Sequence, residues 1–196
     1  MNPGEIHVWR VPLDGAEILP PTPGEAARAA RFRGADHQRR YLRSHAALRA
    51  ILARHTDARL DFAVTENGKP FLSAAPHVKF NLSHSRDMAL VAVALEVEIG
   101  VDVEWIRPMP DFLDIAERFF PASEAAAVTD QVDFFRRWTR LEAAVKACGT
   151  GIYGIGAELS GDWTIEELAA APGYSAAVAA PRAAMRVTMH DFGTTL

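Results

Sequence analysis

The chain has 196 residues, with 21 Lys plus Arg against 25 Asp plus Glu, a formal net charge of −4, 49% hydrophobic and 23% charged residues. This is globular composition, and the length suits one large domain or two small ones that bury a sizeable core without metals or disulfides. The lone Cys148 excludes an internal disulfide and a Cys-x-x-Cys knuckle, and the longest apolar runs, Met88 to Leu95 and Leu168 to Ala171, fall far short of a bilayer span, so a cytoplasmic chain without membrane attachment is expected.

Ile6, Val8 and Val11 alternate as in a strand, and Pro12 to Gly24 reads as a connection rich in Pro and Gly. From about Ala35 to His55, Tyr41, Leu48, Ile51 and Leu52 recur at helical spacing among Arg39, Arg40, Arg43 and Arg49. Leu60 to Val64 reads as a strand, Asn67-Gly68 signals a hairpin, and Val78 to Leu82 and Met88 to Leu95 read as two more strands. Ile99 to Glu104 is a strand ended by Pro108 and Pro110. Asp111 to Phe119 is then a helix, Ser123 is a candidate N-cap for a second, and Asp133 one for a third that runs to Cys148 and stops at Gly149-Thr150-Gly151. Trp163 to Leu168, Gly173 to Ala179 and Met185 to Phe192 read as short strands. The fold class is α+β, expected as two similar halves in one chain, residues 1–97 and 98–196, with a ligand cleft between them.

Net acidity argues against a general nucleic-acid binder, yet between Glu25 and Arg54 there are eight Arg and two acids. That patch is either a solvated helix face or a site for a phosphorylated ligand. Asp102 and Glu104, two apart in an apolar strand, place both carboxylates on one face, where a divalent cation would relieve their repulsion; an exposed strand face paired with Arg is the other reading. Glu142 and Lys146, one turn apart, lie beside the apolar stripe of Phe134, Trp138, Leu141, Val145 and Cys148. They line a cleft, or they form a helix-surface pair contributing ~0.3 kcal/mol. Asn81-Leu82-Ser83-His84-Ser85 pairs Ser with His but offers neither a third orienting group nor a strand-to-helix elbow, so no hydrolase triad is assigned; His84 meets an anion or caps the loop. Cys148, on the apolar stripe, is read as an inert core thiol.

In this order, Gly68-Lys69-Pro70, Phe80-Asn81-Leu82-Ser83-His84-Ser85, Gly100-Val101-Asp102-Val103-Glu104, Arg118-Phe119-Phe120 with Glu124, and Trp138-Thr139-Arg140-Leu141-Glu142-Ala143 with Lys146 and Gly149-Thr150-Gly151 resemble the 4′-phosphopantetheinyl transferases, in their larger, surfactin-synthetase-type branch. The similarity runs from about Arg28 to Gly151. The resemblance implies a pseudo-twofold α+β fold that holds coenzyme A and Mg²⁺ in the cleft. The implied reaction transfers 4′-phosphopantetheine to a serine of an acyl or peptidyl carrier protein, releasing adenosine 3′,5′-bisphosphate. Carried over by motif, Asp102, Glu104 and Glu142 hold Mg²⁺; Lys146 and the Ser83-His84 pair contact phosphates; Arg40, assisted by Arg28, binds the 3′-phosphate; Lys69 and Pro70 border the adenine.

The resemblance makes Glu142 the first candidate for the base that deprotonates the carrier serine, Glu104 the second, and Lys146 a catalytic cation. Leu141 stands where the family motif usually has Lys, and the segment after Gly156 matches weakly, which leaves the carrier-docking face unassigned. The competing readings are a Mg²⁺-dependent phosphohydrolase and a degenerate binder of coenzyme A or carrier. Small trimeric relatives hold about half this length, so a monomer is expected.

Overall fold

The computed structural model describes residues 2, 4–16, 18–149, 163–182 and 186–193. β1 (Glu5–Pro12) and β5 (Met88–Leu95) are buried on both faces, which is why Met88 to Leu95 reads as an unbroken apolar run. Ile6, Val8, Leu90, Ala92 and Ala94 point into one core, while Trp9, Val11, Ala89, Val91 and Val93 point into another. With β4 (Val78–Ser85) and β9 (Arg186–Asp191) they form a sheet of order β4-β5-β1-β9, in which β9 runs parallel to β1. The chain therefore returns its last strand to the sheet of its first half.

A second, antiparallel sheet has the order β6-β8-β7, from β6 (Gly100–Trp105), β7 (Trp163–Glu167) and β8 (Tyr174–Pro181). Ile99, Val101, Val103, Ala176 and Val178 pack it against the inner face of the first sheet. α2 (Ala35–Leu52) covers the outer face of the first sheet through Ala47, Leu48, Ile51 and Leu52. α5 (Gln131–Cys148) covers the outer face of the second through Ala143, Ala144 and Ala147 against Ala177 and Ala179. The result is four layers, helix, sheet, sheet and helix.

The α5 contact is close because the residues facing each other are small. A Cβ added to Gly100 would stand 2.1 Å from the Ala143 carbonyl oxygen, so only glycine lets the helix settle onto the start of β6. α3 (Phe112–Phe119) and α4 (Ala122–Ala126) close a separate aromatic cluster around Phe120, Phe134 and Trp138.

Local expectations were corrected in several places. The Pro/Gly-rich connection ends in a helix, α1 (Pro23–Ala29), whose capping box joins Thr22 and Glu25. The N-cap of α5 is Asp130, which accepts the Asp133 N–H at 2.9 Å; Asp133 in turn accepts the Thr129 N–H at 3.2 Å. Ser123 lies inside α4, behind an N-cap at Pro121. β4 runs three residues past Leu82, to a two-residue turn at Arg86-Asp87 where Arg86 adopts φ 54°. The Asn67-Gly68 hairpin is present between β2 (Phe62–Val64) and β3 (Pro70–Leu72), with Gly68 at φ 83°. Cys148 is half-buried and outside the core clusters, not a core thiol. Thr150, Gly151 and Met185 lie outside the described residues.

Candidate active site

Alternation along β6 turns Val101 and Val103 into the inter-sheet core and brings Asp102 and Glu104 to the side facing α5. Asp102 is only 3% exposed. Its Oδ1 accepts hydrogen bonds from the Ser83 hydroxyl at 2.7 Å and from Lys146 Nζ at 2.6 Å. Glu104, half-buried, accepts the Ser85 hydroxyl at 2.8 Å and Arg107 Nη1 at 3.1 Å, both on Oε2.

Lys146 and Glu142 come from α5, which starts at the Asp130 cap and stops where Gly149 turns left-handed at φ 72°. Their one-turn separation puts both on the wall of the cleft. Lys146 commits two of its three N–H donors, to Asp102 and to Ser83 at 3.1 Å. Burial pushes the Glu142 carboxyl above the usual carboxylate range; Lys146 opposes that shift, and Asp102 and Glu104 reinforce it.

Above these groups opens a cavity of about 870 Å³, within the range of small-molecule sites. It is lined by seven of the residues singled out from the sequence: Arg28, Lys69, Pro70, Ser83, His84, Glu142 and Lys146. Arg28 lies 5.8 Å over the Tyr41 ring. The His84 ring is open to solvent on one side, but desolvation by the cleft walls, then the Lys146 charge, lowers its pKa and favours the neutral imidazole. Lys69 Nζ reaches Glu98 at 2.6 Å and the Ala147 carbonyl at 2.8 Å, tying the hairpin to the end of α5. Ser83, named with the coenzyme A site, lines the cavity, and its hydroxyl is engaged by Asp102, Lys146 and the Val103 N–H at 3.4 Å.

Asp102, Glu104 and Arg40 are not among the lining residues: Asp102 lies behind Lys146 at 2.6 Å, Glu104 is held by Ser85, and Arg40 lies on α2, 3.4 Å from Asp14. Sequence reading also missed part of the wall. Glu25, which bridges Arg49 at 3.2 Å, and Tyr41 and His45 line the cavity near Arg28. Thr22-x-x-Glu25 is the signal that would have placed α1 there.

The donor set fits a hard divalent cation. Among the described residues Asp102 Oδ2 is buried without a hydrogen-bond partner, a costly arrangement unless something binds it, and Asp102 and Glu104 are near enough to raise the Glu142 carboxyl. Among the described residues no three His, Cys, Asp or Glu side chains already enclose a metal site. Mg²⁺ is typically held by one or two carboxylates plus substrate phosphates, so a complete protein cage is not required for it.

Residues 98–176 match the family model described as the 4′-phosphopantetheinyl transferase superfamily. The chain is 37% identical over 166 residues to 4′-phosphopantetheinyl transferase HetI of Nostoc sp. (strain PCC 7120), an alignment covering 76% of this chain and 70% of the relative. It is 37% identical over 139 residues to 4′-phosphopantetheinyl transferase psf-1 of Bacillus pumilus, covering 66% of this chain and 58% of the relative. A 4′-phosphopantetheinyl transferase of Bacillus subtilis is 37% identical over 101 residues, 48% of this chain and 44% of the relative.

Proposed function

The chain belongs to the 4′-phosphopantetheinyl transferase superfamily, and on that premise we propose that it moves 4′-phosphopantetheine from coenzyme A to a serine of an apo acyl or peptidyl carrier protein. The observation that carries the site assignment is that Lys146 and Glu142 stand on the cavity wall while Lys146 pairs, behind it, with the buried Asp102, whose Oδ2 has no hydrogen-bond partner among the described residues. Asp102 and Glu104, with Glu142 beside them, are the residues that would hold Mg²⁺ together with pyrophosphate oxygens, and a bound Mg²⁺ would supply charge stabilisation for the departing phosphate.

The protein's own groups do the rest. Lys146 has a third N–H donor for a phosphate oxygen, and His84 borders the same space. Glu142, facing the cavity, takes the proton of the carrier serine as its oxygen attacks the β-phosphorus; the P–O bond to the nucleotide breaks and adenosine 3′,5′-bisphosphate leaves. Glu104 is a poorer base because Ser85 and Arg107 already occupy its Oε2. Arg28, with Arg40 nearby on α2, takes the 3′-phosphate, and Lys69 and Pro70 border the adenine. In this division residues 1–97 bind coenzyme A and residues 98–196 supply metal ligands and base, with β9 returned to the first sheet.

Both walls of the cleft come from one chain, so a monomer suffices. Among the described residues no helix is long and apolar enough to cross a membrane, and we place the protein in the cytoplasm with its coenzyme A and carrier. The test is intact-protein mass spectrometry of apo carriers incubated with the protein, coenzyme A and Mg²⁺, with an EDTA control. A metal-dependent gain of one phosphopantetheine is expected. Coenzyme A cleavage without carrier would replace this reading with a phosphohydrolase, and binding without turnover across carrier classes would replace it with a degenerate binder.

A further inference from the structure

Among the described residues β6 is an edge strand of its sheet, and an edge strand presents unpaired backbone N–H groups. Here side chains of β4, which belongs to the other sheet, receive them. The Val101 N–H donates to Asn81 Oδ1 at 2.9 Å, the Val103 N–H to Ser83 Oγ at 3.4 Å and the Trp105 N–H to Ser85 Oγ at 3.1 Å. Alternate residues of one strand thus answer alternate residues of the other, forming a side-chain ladder where no backbone ladder exists.

The ladder has a directional consequence. A serine hydroxyl has one proton and two acceptor positions. When a backbone N–H, and for Ser83 also Lys146, occupies the acceptor side, the proton is turned the other way. In both cases it meets a carboxylate: Ser83 donates to Asp102 Oδ1 at 2.7 Å and Ser85 to Glu104 Oε2 at 2.8 Å. Each carboxylate therefore has one oxygen fixed by a serine and the other free of hydrogen bonds among the described residues.

We propose that Ser85 is a positioning residue: anchored by the Trp105 N–H, it fixes the Glu104 carboxylate in the orientation that receives the divalent cation, as Ser83 does for Asp102. This deepens, and rests on, the assignment of Asp102 and Glu104 to the metal. It also assigns the Asn81-x-Ser83-x-Ser85 pattern to the joint between the two sheets rather than to phosphate contact.

The experiment measures Mn²⁺ binding to the full chain with saturating coenzyme A, from the electron paramagnetic resonance signal of free Mn²⁺, in wild type, Ser85→Ala, Ser85→Thr and Glu104→Ala. Ser85→Ala is expected to weaken Mn²⁺ about tenfold, the usual scale for losing a group that orients a metal ligand, while Ser85→Thr restores binding. In turnover assays the Mg²⁺ concentration for half-maximal rate should rise with the KM for carrier unchanged. Wild-type Mn²⁺ affinity in Ser85→Ala, with Glu104→Ala impaired, overturns the positioning role and leaves the metal assignment standing. Wild-type affinity in Glu104→Ala overturns the metal assignment itself. Should Ser85→Ala fail to fold, Ser85→Cys, similar in size but a weak donor, replaces it, and unchanged Mn²⁺ affinity there overturns the proposal equally.

Discussion

At the carboxylate end of the cleft Asp102 is buried, Lys146 lies 2.6 Å from it, and α5 rests on β6 with no room for a methyl group at Gly100; at the arginine end Arg40 lies 3.4 Å from a half-exposed Asp14, and a Cβ on Gly24 would touch nothing within 4 Å. The first end is placed in advance by packing and by a hydroxyl ladder. The second is a set of long cationic side chains whose partners are exchangeable. Burying a charge is costly unless its partners are fixed, whereas an exposed ion pair contributes little and can be re-aimed cheaply. The difference teaches that the carboxylate cluster is preorganised by packing, whereas the arginine cluster can be re-aimed at little cost.

Four sets of measurements would break or sharpen this contrast. The largest effect is expected at the buried pair: Asp102→Ala or Glu104→Ala should abolish carrier modification in the mass-spectrometric assay. Lys146→Ala should lower kcat roughly 10²- to 10³-fold in a protein that still folds, as judged by circular dichroism. Full turnover by either carboxylate variant at saturating Mg²⁺ would show that preorganisation at this end serves something other than a metal.

Next, one substitution made at both ends should give opposite signs. Gly100→Ala should cost about 3 kcal/mol in denaturant unfolding, since helix backbone would have to move. Gly24→Ala, in the exposed first turn of α1, should be neutral or stabilising by up to ~1 kcal/mol. Equal costs would mean that the two ends are packed alike.

A smaller effect is expected from Arg40→Ala, about a tenfold rise in KM for coenzyme A with little change for dephospho-coenzyme A, the loss of one charge-assisted hydrogen bond. An equal loss for both donors would remove Arg40 from the 3′-phosphate site.

The smallest effect concerns pH and combines a histidine cluster around Trp9 with His45 and His84 of the cavity wall. Trp9 stacks on His7 and His190, whose ring nitrogens are 2.8 Å apart, and meets His55 edge-on. Burial pushes His55 down to about 4, and His190, His45 and His84 are lowered too, each chiefly by desolvation. Below the ordinary histidine range the unfolded chain then binds more protons than the folded one, so stability should fall as pH drops from about 6.5 to about 4. Thermal unfolding across that window should show a falling midpoint, and activity should fall as well while the fold persists, because protonation removes the Glu142 base. His55→Phe should flatten the slope, and an unchanged slope would assign the acid sensitivity to other groups.

Much of this molecule is legible from residue order because its signals are local. Period-two alternation found β1 and β6 and Asn67-Gly68 found the hairpin, whereas the one-turn spacing of Glu142 and Lys146 left a cleft wall and a surface pair both open, and it was the family resemblance that picked them out. The misses are also physical. Arg86-Asp87 turns a hairpin without glycine or asparagine, so β4 looked three residues shorter than it is. Asp130 accepts the Asp133 N–H of the first turn of α5 while Asp133 reaches back to the Thr129 N–H ahead of it, and their identities alone do not say which is the cap. α1 hid in a connection whose Pro and Gly outweighed its capping box.

By itself the sequence determined the α+β class, the candidate carboxylates and cations, and the family, because each depends on residue type and short-range spacing. Only the tertiary structure decided that β9 lies beside β1, that Lys146 meets Asp102 across 44 positions of chain, and that Ser83 and Ser85 reach from one sheet to the carboxylates of the other. Those outcomes depend on which faces bury together, and burial is a property of the whole packed chain that spacing along it does not encode.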